Sequence, residues 1–173
     1  MSVFKEIDLK ELPVNPFEMI GKEWLLITAK KEDKVNTMTA SWGSMGVMWG
    51  QNVVNVYIRK SRFTKEFIDG ADHFSVSVYP ESERKTLAYF GSTSGRDEDK
   101  IAKAGYTVAC DQDVPYFEEA KVVLICKKLS KHSLGPEGMI DEEILPKWYS
   151  GNDEGNFHDM YIGKIEKVLV KED

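Results

Sequence analysis

The chain has 173 residues, with 23 basic and 29 acidic side chains and a formal net charge of −6. A domain of this length buries roughly 70% of the surface that its unfolded chain exposes, so a sizeable core is available. The acidic balance argues against broad binding to nucleic acid or to an anionic membrane surface. No apolar run approaches the roughly 20 residues of a transmembrane helix, and the first residues lack the order of a secretory signal. We therefore expect a cytoplasmic protein with no nucleic-acid or membrane partner.

Apolar and alternating runs predict about six strands along the chain. The second, NTMTASW, is expected to close at the glycine-rich GSMG (residues 43–46). The predicted strands are WLLITAKK, NTMTASW, VVNVYIRK, HFSVSVYP, EEAKVVLICKKL and FHDMYIGKIEKVLV.

Short helices are predicted over TKEFIDG, over ERKTLAYF and at the end of GSTSGRDEDKIAKAG, where Lys100 and Lys103 suit the C-terminal end of the helix. Because helices and strands do not alternate regularly, the pattern favours a mainly β fold, an antiparallel barrel, over a doubly wound sheet. We expect one domain over residues 1–173. Its segment from about 130 to 156 is rich in glycine, proline and charge, which predicts a long excursion on the barrel surface or at a partner interface.

Four cations crowd the junction between the third predicted strand and the helix that follows it. They are Arg59, Lys60, Arg62 and Lys65. The N-terminus of a helix carries the positive end of its dipole and usually attracts acids. If Ser61 or Thr64 caps this helix, its hydroxyls, its backbone N–H groups and the cations together fit a phosphate monoester. The alternative is that several of these cations lie on a solvated face and pair with nearby acids.

Hydroxyl side chains alternate along the second predicted strand. Thr37, Thr39 and Ser41 share one face, and Met38, Ala40 and Trp42 share the other. Such a face, with Trp42 beside it, can hydrogen-bond a flat heteroaromatic ring, although threonine and serine on an exposed strand need no ligand. Together with the basic junction, it favours a ligand with a ring at one end and a phosphate at the other.

The cysteines, histidines and glycines give no strong indication of a further metal, catalytic or nucleotide site. Cys110 and Cys126 match neither a zinc spacing nor a disulfide framework, so we expect two reduced thiols and no metal site. His158, near the last strand, is a weaker candidate for a ligand contact. The glycines of WGSMGVMWG lack the spacing of a dinucleotide-binding turn.

Several of these motifs recur in one order in a known family. The run NTMTASW, then IRKSRFTKEFI, FSVSV, GSTSGRDEDKIAKAG and FHDMYIGKI, resembles the flavin reductase-like family of FMN-binding split-barrel proteins, close to its flavoredoxin-type members, over residues 15–170. The resemblance implies a six-stranded antiparallel split β-barrel that forms a homodimer and holds FMN without a covalent bond. By similarity, Thr39, Ala40, Ser41 and Trp42 would lie along the isoalloxazine ring.

The same resemblance implies a phosphate site and a function. Arg59, Ser61, Arg62 and Thr64 would hold the phosphate, with Lys60 beside them, and the loop of Ser92, Ser94 and Gly95 would approach the flavin. The expected function is reduction of bound flavin by NAD(P)H, with transfer to free flavin or to a small redox protein; the alternative is an electron carrier or flavin-binding module without turnover. Because flavin supplies the redox chemistry, we assign no catalytic acid or base.

Overall fold

The computed structural model describes residues 3–172, which form ten strands and five short α-helices. A π-helical turn, Met19–Glu23, precedes the second strand. The strands are β1 (Phe4–Ile7), β2 (Leu25–Lys31), β3 (Lys34–Ala40), β4 (Gly43–Met48), β5 (Gln51–Arg59), β6 (His73–Val78), β7 (Val108–Asp111), β8 (Val114–Phe117), β9 (Val122–Ser133) and β10 (His158–Lys171). The helices are α1 (Pro16–Glu18), α2 (Thr64–Gly70), α3 (Arg84–Ser92), α4 (Lys100–Ala104) and α5 (Ile144–Trp148).

Eight strands form one antiparallel sheet in the order β3-β2-β6-β9-β10-β5-β4, with β1 paired to the far end of β10. The two ends of this order, β3 and β4, do not pair with each other, so the sheet is a split barrel as predicted. Strands β7 and β8 form a separate hairpin. The six predicted strands are all present as β2, β3, β5, β6, β9 and β10.

The prediction that GSMG closes the second strand was wrong. Residues Gly43–Met48 form β4, which pairs with β5 from Gly43↔Val56 to Met48↔Gln51. The two-residue turn between them is Trp49–Gly50, and both residues have positive φ, 52° and 70°. Two positive φ angles are the requirement of a type I′ hairpin turn, which Asn-Gly usually meets, so Trp-Gly carried no recognisable signal.

Strand β10 organises the barrel because it has three partners. Its first half pairs with β5, its last residues pair with β1, and β9 follows its whole length with two register shifts. The shift at Ile162/Gly163 lies where a Cβ on Gly163 would sit 2.6 Å from Phe74 Cζ, so only glycine fits this close approach. The register sets His158 opposite Arg59 at the open end of the sheet.

The sheet buries residues on both of its faces. Leu25 and Ile27 belong to the barrel interior, whereas Leu26, between them, packs with Leu87 and Phe117 in a second cluster under α3 and the β7–β8 hairpin. Burial on both faces explains the continuous apolar run in β2.

The excursion predicted over residues 130 to 156 begins later in the chain than expected. Strand β9 continues to Ser133, so the connection to β10 is residues 134–157, which we call the cover segment. It contains α5 and two short 3-10 turns, Pro136–Gly138 and Gly151–Asp153. The prediction ended β9 too early, because the last residues of the strand are polar and exposed and therefore lack the apolar pattern of a strand.

Candidate functional site

A small polar cavity of about 100 Å³ lies between the loop that follows β5 and the loop that follows α3. We call it the anion pocket. It brings together six residues that the sequence analysis proposed for a phosphate or flavin: Ser61, Arg62, Thr64, Ser92, Ser94 and Gly95. Its other lining residues are Asn36, Phe63, Gly91, Thr93 and Lys100.

Two cations face this pocket without a carboxylate. Arg62 Nη1 donates to Gly91 O at 2.7 Å, and Lys100 Nζ donates to Phe90 O at 2.9 Å and Thr93 O at 2.8 Å. Within residues 3–172, neither side chain forms an ion pair with an acid. A buried charge without a counterion is costly, so the pocket fits an anion.

The protonation of Lys100 reflects this arrangement. Its side chain is 3% exposed, and burial, followed by the charge of Arg62, lowers its pKa to about 8. Burial also lowers the pKa of Arg62. An anion between the two side chains would favour both charged forms and reverse these shifts.

The predicted cap of α2 was wrong. The N-cap residue is Phe63, in helical conformation and without a side-chain cap hydrogen bond, because a turn from Arg62 to Lys65 already leads into the helix. Thr64 Oγ1 instead accepts from Asn36 Nδ2 at 2.9 Å. The anion pocket therefore depends on side chains of two loops rather than on a capped helix terminus.

The structure does not bring Arg59 and Lys60 into the anion pocket. Arg59 turns to the cover segment, where its guanidinium donates to Asn156 O and Trp148 O, both at 3.1 Å, and lies 3.5 Å from Asp153 Oδ1. Lys60 is exposed. The cations at this junction thus serve different purposes, and only Arg62 lines the pocket.

Lys65, the fourth cation of the junction, also lies outside the anion pocket. Its Nζ pairs with Asp69 at 2.7 Å and with the buried Asp159 at 2.9 Å. Pairing with acids was the alternative left open in the sequence analysis, and it holds for Lys65.

Strand β3 connects the anion pocket to a second cavity. Asn36, near its start, lines the pocket, and Ser41 and Trp42 follow its end, about 17 Å further on at the usual rise of a strand. The hydroxyls between are used inside the protein. Thr37 Oγ1 lies 2.9 Å from Thr28 Oγ1, and Thr39 Oγ1 donates to Leu87 O at 2.5 Å.

Of the residues predicted to lie along a ring, Ala40 is buried in the barrel core, and Ser41 and Trp42 are exposed. Ser41 and Trp42 are thus the two that face the second cavity.

The second cavity is a groove of about 630 Å³ at the open end of the sheet. We call it the aromatic groove. Its wall combines the strand ends with the cover segment, and the ring of Trp42 lies 4.8 Å from that of His158 and 4.9 Å from that of Trp148. The lining residues are Pro16, Phe17, Ile20, Gly21, Ser41, Trp42, Gly43, Ser44, Met45, Tyr57, Leu134, Met139, Ile144, Tyr149 and His158.

His158 is held in the wall of this groove by Tyr149. Its Nδ1 lies 2.7 Å from Tyr149 Oη. Burial, with the charge of Arg59, lowers the pKa of His158 to about 4, so the ring is neutral at pH 7. His158 therefore offers the groove hydrogen bonding rather than charge.

Sequence reasoning missed Lys100, Tyr149 and Asn156. Lys100 was placed near the end of its helix, but it is the first residue of α4, which Asp99 caps. A cation at a helix start was the signal used at Ser61, and it applied equally here. Tyr149 and Asn156 lie in an irregular segment whose contacts no periodicity predicts.

Asn156 joins the two cavities. Its Oδ1 accepts from Ser61 N at 3.1 Å and its Nδ2 donates to Ser61 Oγ at 2.9 Å, while Lys60 N donates to Phe157 O at 3.1 Å. The cover segment, which walls the aromatic groove, is thereby attached to a residue of the anion pocket.

Comparison with known proteins identifies the family. The family model for the Flavin reductase like domain matches residues 19–173. The chain belongs to this family. Family membership and the open antiparallel sheet confirm the predicted recognition and fold class.

Relatives at this distance show the fold. A flavoredoxin from Methanosarcina acetivorans is 22% identical, with a TM-score of 0.67, over 87% of this chain and 69% of that one. An FMN-binding protein from Thermus thermophilus, solved with bound p-hydroxybenzaldehyde, is 23% identical, with a TM-score of 0.68, over 96% and 81%.

An uncharacterized protein from Archaeoglobus fulgidus is 28% identical over 115 residues, which are 65% of this chain. The match spans 64% of that relative, less than two thirds of its length.

Two kinds of feature are absent from residues 3–172. No helix in this part of the chain is long and apolar enough to cross a membrane. No group of three or more metal-ligating side chains occurs among the same residues.

Proposed function

We propose that this chain binds FMN without a covalent bond and acts as an FMN-dependent oxidoreductase, in which NAD(P)H reduces the bound flavin and an acceptor takes the electrons. The observation that carries the proposal is a pair of cations, the buried Lys100 and the half-buried Arg62, that face one pocket without a carboxylate. Family membership supports the choice of flavin among phosphorylated ligands.

The donor set of the anion pocket fits a phosphate monoester. Arg62 and Lys100 supply charge, and Ser61, Thr64, Ser92 and Ser94 line the same cavity with hydroxyls. Gly95 lets the loop approach this closely, since a Cβ there would lie 2.4 Å from Asn36 Oδ1. A volume of about 100 Å³ is too small for a ring system, so the ring would lie elsewhere.

The end of β3 is where we place the ring. Ser41 and Trp42 lie there, in the wall of the aromatic groove, about 17 Å along the strand from Asn36 in the anion pocket. Bound flavin would supply the hydride and single-electron chemistry. The residues of this chain would bind and orient the cofactor and, through the cover segment, limit access of water. Because the flavin supplies the redox chemistry, no catalytic acid or base is proposed.

A homodimer belongs to the same proposal, with one domain per chain in the cytoplasm. Strand β4 ends the sheet order, and its hairpin exposes Val47 and Trp49, 73% and 58% exposed. An unpaired edge with apolar side chains is a typical association surface. The acceptor would be free flavin or a small redox protein.

An electron carrier is the second candidate, and one observation favours it. Among the described residues that line the aromatic groove, none is Lys or Arg, so the groove offers no cation to the pyrophosphate of NAD(P)H. Under this alternative the chain holds FMN and exchanges electrons with protein partners only.

The test is the absorbance spectrum of the purified protein, with FMN supplied, before and after anaerobic NADH and then NADPH. A flavin band that either nucleotide bleaches supports the reductase. A band that neither bleaches supports the carrier. If no FMN binds, both candidates fail and the anion pocket takes another phosphorylated ligand.

A further inference from the structure

The aromatic groove and the anion pocket differ in charge. Among the described residues that line the groove, none is Asp, Glu, Lys or Arg. Arg59, which lies 5.2 Å from the ring of Tyr149, is engaged with Trp148 O and Asn156 O, and Asp153 lies beside it. An anion that entered the groove would lose part of its hydration without gaining a counter-charge from the described lining residues, which is costly. The groove therefore suits an uncharged ligand.

One polar pair, Tyr149 and His158, lies in the wall of the groove. Tyr149 Oη has no hydrogen-bond partner among the described residues other than His158 Nδ1, at 2.7 Å. Either atom of this pair can be the donor, and the arrangement relevant to the groove is the one in which Tyr149 Oη donates to Nδ1. Nδ1 is then unprotonated, and the single proton of the neutral ring is on Nε2.

That Nε2–H is free to bind a ligand. Nε2 forms no hydrogen bond with a described residue, and His158 lines the groove with Trp42 and Tyr57. A donor without charge, set among aromatic and aliphatic side chains, matches a carbonyl oxygen on a ring.

We propose that the aromatic groove binds an uncharged ring compound that carries a carbonyl oxygen, to which His158 Nε2–H donates, and that Tyr149 is the positioning residue that fixes this tautomer. The proposal deepens the proposed function by naming the class of compound admitted beside the flavin. It rests on that function only for the identity of the neighbouring cofactor, because the binding itself involves no redox change.

Three ligands of similar shape test the groove by calorimetry on the full chain, with and without FMN. Acetophenone has the carbonyl and no charge, benzoate has a charge, and α-methylstyrene has neither. We expect acetophenone to bind about tenfold more tightly than each of the others, as loss of one hydrogen bond or burial of one anion predicts. Equal or tighter binding of benzoate would overturn the proposal.

Variants of His158 assign the donor. His158→Phe keeps a ring but no donor, and should weaken acetophenone about tenfold, whereas His158→Gln keeps an N–H near Nε2 and should stay within about threefold of the parent. Tyr57→Phe is the matched control, since Tyr57 lines the same groove and has no assigned role. Unchanged binding in His158→Phe, with a folded spectrum, sinks the donor assignment.

Tyr149→Phe tests positioning by a readout that packing alone would not move. The imidazole ¹⁵N shifts of the parent should report a proton on Nε2, and the variant should give a mixture of both tautomers with acetophenone binding a few-fold weaker. A single unchanged tautomer in the variant contradicts the role of Tyr149.

Competition separates this inference from the proposed function. If FMN displaces acetophenone, the groove holds the flavin ring itself and the inference fails, although FMN binding stands. If acetophenone binds with the expected preferences and FMN does not bind at all, the inference stands and the proposed function fails.

Discussion

The anion pocket and the aromatic groove lie at opposite ends of β3 and select ligands in opposite ways. The pocket is about 100 Å³ and is lined by one buried and one half-buried cation, whereas the groove is about 630 Å³ and is lined by uncharged residues. In the pocket, unpaired positive charge costs stability, so we expect an anion to be bound there tightly and in one place. In the groove the contacts are apolar and tolerate a range of shapes. Strand β3 thus connects a small charged cavity, the anion pocket, to a larger uncharged one, the aromatic groove.

The largest expected effect is at Arg62. Arg62→Ala should weaken FMN binding roughly 10- to 100-fold, because it removes charge-assisted hydrogen bonds to the phosphate, and fluorescence titration measures the change. Arg59→Ala and Lys60→Ala are the controls and should stay within about threefold. If either weakens FMN as much as Arg62→Ala, the phosphate does not lie in the anion pocket.

Burial of the charged form of Lys100 is expected to lower the free energy of unfolding of the FMN-free protein. Its pKa is lowered from 10.5 to about 8, so the unfolded state binds more protons between these pH values. The free energy of unfolding should therefore rise as pH increases from 8 to 10.5, by up to about 3 kcal/mol. Urea unfolding of the parent and of Lys100→Met across this window isolates the effect.

Lys100→Met removes this rise, and it should also weaken FMN about tenfold or more, since the phosphate loses one cation. Inorganic phosphate added to the parent should flatten the pH dependence by favouring the charged lysine. The same slope in parent and variant would mean that Lys100 is not buried as an unpaired cation.

A smaller effect is expected at Gly95. A Cβ there would lie 2.4 Å from Asn36 Oδ1 and 3.2 Å from Phe63 Cδ1, so Gly95→Ala displaces the loop and should cost about 1–2 kcal/mol of stability. FMN affinity should fall with it. Gly46→Ala is the control, because nothing lies within 4 Å of its added Cβ. Thermal unfolding and FMN titration of both variants decide whether the close approach matters.

The smallest effect concerns the strand between the two cavities. Thr28→Val with Thr37→Val removes both members of a buried hydroxyl pair and should leave FMN affinity within about twofold and stability within about 1 kcal/mol. A large loss of FMN binding would mean that these hydroxyls face the ligand rather than each other.

Apolar runs and alternation located six of the ten strands, because each of the six contains at least two buried apolar residues. They did not locate β4, whose Gly43–Met48 pattern lacks alternation, or the end of β9, where the side chains are exposed. At the candidate site, residue type proposed Arg62 and Thr64 and the family resemblance proposed Ser94, and these three line one cavity, whereas Arg59 is near them in sequence but contacts the cover segment instead. Lys100, Tyr149 and Asn156 depend on tertiary contacts, which no local pattern encodes.

Asn156 gives the cover segment a second consequence. It attaches to Ser61 by two hydrogen bonds across 95 positions of sequence, with a third between the neighbouring Lys60 and Phe157. The side-chain amide of Asn156 therefore holds the cover segment at a fixed distance from Ser61, and so fixes the distance between the anion pocket and the aromatic groove. A relative that lengthened or shortened residues 134–157 would keep the barrel and the anion pocket yet change that distance. Length variation in one connection is therefore a route by which the same sheet could come to accept ligands of different reach.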